Sequence, residues 1–167
     1  MKFLVLLTLL LFFGITLPVR GQSSPQFEAY RVKIYKGRIH NPEWIRHVSG
    51  DEWRDQVDKF VGPPEINFAG KYFIAIHGCG SYCRYYTLTD LSSGRDLDIL
   101  IKFMSDQTRA GEPYVTELVT RANSKLLVAQ FYVRSSSGGE KCRQRAFVLE
   151  GKTLRPITKT QRSCTKY

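Results

Sequence analysis

The chain has 167 residues, with 25 Lys plus Arg against 15 Asp plus Glu, so its net charge is +10. Apolar residues at 43% and charged residues at 24% sit at ordinary globular values, which excludes collagen-like, coiled-coil, disordered and multi-span membrane classes and leaves one domain's worth of protein. The catalytic inventory is thin: there are three His and four Cys, and no Gly-x-Ser-x-Gly elbow supplies a serine nucleophile.

The N-terminus reads as a targeting segment. Met1-Lys2 precedes an apolar run over 3–17, interrupted by Thr8, Gly14 and Thr16 and followed by Pro18. A helix needs about 20 apolar residues to span a bilayer, and this run is shorter. It predicts a secretory signal over 1–21, cut after Gly21, and a single β-rich domain over 22–167 that is secreted or periplasmic with no transmembrane span.

Along that domain the strand period dominates. Val32 and Ile34 alternate with Arg31, Lys33 and Tyr35, predicting a half-buried strand over 27–35. Asn41-Pro42 then opens a short helical turn. Ser49-Gly50-Asp51 offers a cap for a helix over 52–61, in which Trp53, Val57, Phe60 and Val61 lie at helical spacing and Asp51, Glu52 and Asp55 sit where the helix dipole favours them. Gly62-Pro63-Pro64 ends it. Tyr72, Ile74 and Ile76 alternate with Phe73, Ala75 and His77, and a cysteine loop turns the chain into a partner strand over 84–90. A short strand is expected over 97–103. Further strands over 115–120, 126–134, 143–149 and 154–157 are joined by turns at 121–124, 135–139 and 150–152. The expected fold is therefore mainly β (α+β): an antiparallel meander of hairpins with one or two short N-terminal helices, stapled by disulfides.

Four cysteines in an exported chain can pair in three ways. The favoured pairing joins Cys79 to Cys83 around a tight loop and Cys142 to Cys164 across the C-terminal tail. A two-residue turn at Gly151-Lys152 would place Cys142 opposite Gln161, so the second bridge requires a bulge or a non-strand tail. His77, Cys79 and Cys83 invite a metal reading, but their spacing matches no zinc pattern and an oxidising compartment favours the disulfide. Cys-x3-Cys also lacks the helix start that activates a redox Cys-x-x-Cys pair. No metal or cofactor is expected.

The stretches Asn67-Phe68-Ala69-Gly70-Lys71-Tyr72, Gly78-Cys79-Gly80-Ser81-Tyr82-Cys83 and the turn at 90–95 resemble small, uncharacterised secreted bacterial proteins. Those carry Asn-Phe-Ala-Gly-His-Tyr, a Trp-Gly-Cys-Gly-Thr-x-Cys loop and an Asp-x-x-x-Gly turn. The likeness covers about 30 residues; Lys71 replaces a His, and His77 stands where those proteins have Trp. It implies an extracytoplasmic bacterial location and no particular chemistry.

Charge is the most informative functional clue. Residues 22–120 carry 12 basic and 13 acidic groups, whereas 121–167 carry 11 and 2. A one-sided field of this kind attracts anions. The expected function is a non-enzymatic domain binding an anionic envelope lipid, a glycan or an acidic protein through Arg134, Lys141, Arg143, Arg145 and Arg155. Nucleic acid is not expected, because no stacking platform or recognition helix is legible. The alternative is a hydrolase or redox enzyme using His77 beside the Cys79/Cys83 loop.

Overall fold

In a computed structural model of the chain, the residues described are 24–81, 83–107, 111–134 and 139–167. The expected signal segment, its cut after Gly21 and most of the 135–139 loop lie outside them. Among the described residues, eleven strands form three antiparallel sheets. A small sheet holds β1 (Ile45–Ser49), β2 (Glu52–Asp55) and β3 (Phe60–Val61). A second holds β4 (Tyr72–Gly80), β5 (Cys83–Asp90) and β6 (Arg95–Asp96). The third holds β7 (Asp106–Gln107), β8 (Pro113–Val119), β9 (Leu126–Arg134), β10 (Glu140–Glu150) and β11 (Thr153–Pro156). Its order is β11-β10-β9-β8-β7.

The mainly β reading holds, and the N-terminal helices do not. Residues 45–55 form a hairpin turned at Gly50, whose φ is +49°. The helical spacing over 52–61 was coincidental, since Val57 and Phe60 are each 68% exposed. What defeats a helix there is Asp55: its carboxylate accepts the backbone N–H groups of Val57 and Lys59, at 3.0 and 2.9 Å. Side-chain capture of this kind ends β2 in a turn. The strand expected over 27–35 is likewise replaced by a 3-10 turn at Phe27–Tyr30 followed by extended chain. A second 3-10 turn, Ile101–Phe103, takes the place of the strand expected over 97–103.

Strand parity assigns the layers. Even-numbered Ile74, Tyr86 and Leu88 of the middle sheet meet Leu127, Ala129, Phe147, Leu149 and Leu154 of the large sheet, with Leu100 and Phe103 plugging the seam. Odd-numbered Phe73 and Ala75, with Leu91, pack on Ile45 and Val61 of the small sheet. The outer face of the large sheet buries Leu126, Val128, Ala146 and Val148 under Phe27, whose ring meets Tyr167 edge-on at 5.4 Å.

Both expected disulfides are present, Cys79 with Cys83 and Cys142 with Cys164. The register problem of the tail bridge is solved by a non-strand tail, since β11 ends at Pro156 and the chain beyond it pairs with β10 only at an isolated bridge. β10 and β11 pair regularly from Glu150↔Thr153 to Phe147↔Pro156, and pairing then resumes two residues out of step at Gln144↔Gln161. That slip puts Ser163 opposite Cys142, and the non-strand chain after Gln161 supplies the last residue of offset that brings Cys164 to Cys142.

Residues of the 67–71 stretch and the turn at 90 hold the middle sheet in place. Asn67 covers the open edge of β4: its amide donates to the Ile74 carbonyl at 2.9 Å and accepts the Ile74 N–H at 2.7 Å, occupying groups an edge strand otherwise leaves unpaired. Gly70 has φ +82°, and a Cβ there would overlap the Lys33 carbonyl oxygen. Lys71 reaches the Asp90 carboxylate at 2.6 Å, tying the start of β4 to the end of β5.

Candidate functional site

The five sequence-predicted basic residues divide by strand parity. Lys141, Arg143 and Arg145 are opposite Val133, Phe131 and Ala129, so they project from one face of β10 at about 6.8 Å intervals, two residues per step. Arg134 is opposite Glu140 and belongs to the other face. It lies in a groove of about 670 Å³ with Ile76, Arg84, Glu117 and Tyr132, where Arg84 pairs with Glu117 at 3.3 Å. Arg155 is opposite Val148, also on that other face, and is engaged bidentately by Glu150 at 2.8 and 2.6 Å. The sheet therefore gathers three of the five.

The 3-10 turn at Ile101–Phe103 adds a fourth cation that sequence reading missed. Lys102 extends over Phe147, its ammonium 5.0 Å from the ring centroid, while the Arg145 guanidinium lies 5.6 Å from the same ring. Burial first, and the neighbouring Arg145 charge second, hold the Lys102 ammonium below the ordinary lysine pKa. Arg145 is steadied by donation from Nε to the Thr158 carbonyl at 3.1 Å. Arg143 lines a cleft of about 200 Å³ with Tyr114, Phe131, Val133 and Thr160. Among the described residues, none of Lys102, Lys141, Arg143 and Arg145 is in an ion pair. Asp106 shares this face from β7, opposite Tyr114. Three strand spacings put it about 14 Å from β10, beyond the Debye length of about 8 Å.

His77, the alternative centre, is 3% exposed. Its Nδ1 is 3.3 Å from Asp55 Oδ2 and its Nε2 is 3.0 Å from Thr87 Oγ1. Tyr85 stacks on the ring at 4.5 Å, and Trp44 meets it edge-on at 5.0 Å. Burial pushes the imidazole below the ordinary His pKa, against the opposing pull of Asp55. Asp55 loses solvation in the same place, but donation from Lys59 N–H, His77 and Val57 N–H outweighs that cost and leaves its carboxyl below the usual range. A carboxylate only accepts, so the imidazole proton is on Nδ1 and Nε2 accepts the Thr87 hydroxyl. The cysteine loop takes no part in this chain: Cys79 and Cys83 are bonded to each other, which leaves no thiolate for metal or nucleophilic chemistry.

Among the described residues no helix is long and apolar enough to cross a membrane. Compared with family models, with curated proteins and with solved structures, the chain matches none.

Proposed function

We propose that the protein is a secreted or periplasmic domain that binds an anionic component of the cell envelope through the β10 face. The observation that carries this reading is the row of Lys141, Arg143 and Arg145 with Lys102 beside it, four cations sharing one surface with no carboxylate partner among the described residues. Cations held close without counter-charge repel one another, and a phosphate or carboxylate relieves that repulsion. Arginine adds paired hydrogen bonds that fit either anion, which lysine does not reproduce. Two disulfides are compatible with an oxidising compartment, and the resemblance to secreted bacterial proteins points the same way. The test is co-sedimentation of the purified domain with phosphatidylglycerol vesicles and with zwitterionic vesicles at low salt. Each Lys or Arg near an anionic surface contributes about 1 kcal/mol, so Lys102→Gln/Arg145→Gln should weaken anionic binding about 30-fold. Equal binding to both vesicle types would refute the reading.

A hydrolase centred on His77 is the second reading, favoured by one specific observation: the hydrogen-bonded chain from Asp55 through His77 to Thr87.

A further inference from the structure

Three strands contribute to that chain: Asp55 ends β2, His77 lies in β4 and Thr87 in β5. Hydroxyl, imidazole and carboxylate stand in the order that recurs on unrelated hydrolase folds, where the carboxylate orients the ring and the ring takes the hydroxyl proton. The pairing depends on the tertiary fold, since Asp55 belongs to the small sheet and the other two to the middle one.

Thr87 also occupies a junction. It lines a cleft of about 270 Å³ with Trp44, Gln56 and His77, and it lines a second cleft of about 360 Å³ with Leu97, Leu100, Ile101 and Met104. Tyr85 is the other residue shared by the two. The Trp44 indole N–H, in the wall of the first cleft, is buried and has no hydrogen-bond partner among the described residues. An orphan donor calls for an explanation, and a donor beside a reacting carbonyl can stabilise the oxyanion that develops there.

We infer that Thr87 is the nucleophile of an acyl-transfer site, with His77 as its base, acting on neutral esters of a small apolar acyl group. The inference rests on the hydrolase reading and is independent of the basic face. Thr87 Oγ bonds to the ester carbonyl carbon as its proton passes to His77 Nε2. The carbonyl then re-forms, the bond to the alcohol oxygen breaks, and that oxygen takes the proton from Nε2. Water repeats the sequence on the acyl-threonine, releasing the carboxylic acid and restoring the hydroxyl. No co-reactant beyond water is consumed. The cleft lined by Leu97, Leu100, Ile101 and Met104 receives the acyl chain, and Asp96 and Asp98 in the same lining disfavour substrates that carry a negative charge.

The test is incubation of the full chain with p-nitrophenyl butyrate, following p-nitrophenol release and mapping acylated peptides by mass spectrometry, with thermal melts of every variant. The expected result is a single butyryl group on Thr87, its loss in Thr87→Val, its retention in Thr87→Ser, and turnover about 10²- to 10⁴-fold slower in His77→Gln. Turnover that needs His77 but is unchanged in a folded Thr87→Val protein would overturn the nucleophile assignment and leave the hydrolase reading standing. Acylation confined to lysines or tyrosines, or no turnover at all, would overturn both.

Discussion

The C-terminal tail is held to the large sheet by one covalent bond and a small polar network, and removing the bond gives a magnitude that can be worked out. Cys142 and Cys164 are 22 positions apart. In the chain-entropy treatment, opening a loop of that length releases about 11 cal/mol/K to the unfolded state, or about 3.4 kcal/mol at 25 °C. The same arithmetic for Cys79 and Cys83, 4 positions apart, gives about 1.9 kcal/mol. Cys142→Ser/Cys164→Ser should therefore cost about 1.5 kcal/mol more than Cys79→Ser/Cys83→Ser. With an m-value of about 1.5 kcal/mol/M in urea, the tail variant's midpoint falls by about 2 M and the loop variant's by little more than 1 M. The tail variant should also lose amide protection at Thr165, whose N–H donates to the Gln144 side chain at 2.8 Å. Urea titration followed by the emission of Trp44 and Trp53 reads the first effect, and hydrogen exchange reads the second. Equal midpoints for the two double variants would refute the loop-entropy reasoning.

Asn67→Ala removes both hydrogen bonds from the β4 edge and leaves the Ile74 groups unpaired, so it should lower stability by about 1–3 kcal/mol in urea titration. Gly70→Ala forces a side chain into a left-handed backbone and onto the Lys33 carbonyl; it should cost more than about 1 kcal/mol, read as a lower melting temperature. The native imidazole of His77 binds its proton less readily than the unfolded one, so the unfolded state holds more protons just below the ordinary His pKa of about 6.5. Stability should be complete above that value and fall as pH drops below it. His77→Gln should flatten this segment of the stability–pH curve, and an unchanged slope would contradict the burial argument.

Much of the large sheet was legible because its strands are long and its alternation sustained: residues 126–134 read as a strand and form β9 with those bounds. The N-terminal third was not, because strands of two to five residues are too short to set a period. There, a side chain that caps its own turn, Asp55, outweighed an accidental helical spacing. The register conflict at Gln161 was legible from counting, and of the two remedies it allowed, a bulge or a non-strand tail, the chain uses the tail. In the candidate site, parity alone separates Arg134 from Arg143 and Arg145, which is readable once the 126–134 and 140–150 hairpin is aligned. Lys102 could not have been found this way. It comes from a 3-10 turn far away in sequence, and only the packing of Phe103 against Phe147, rings 5.1 Å apart, brings it to Arg145. The Asp55–His77 contact was hidden for the same reason, since it joins two sheets whose relation no local pattern encodes.

In the proposed function, a localised row of cations, and not the overall charge of the chain, binds an anionic envelope surface. The most direct test is the affinity for phosphatidylglycerol vesicles, measured across a salt series for the wild type, Arg143→Gln/Arg145→Gln and Lys33→Gln/Lys36→Gln. Both double variants lose the same net charge, and Lys33 and Lys36 are exposed on the extended segment after the N-terminal 3-10 turn. Wild-type binding should be measurable at low salt and weaken as salt rises. The arginine variant should lose about 30-fold, at about 1 kcal/mol per residue, and the lysine variant should stay within about 2-fold of the wild type. Equal losses in the two variants, or a wild-type affinity indifferent to salt, would contradict the proposed function.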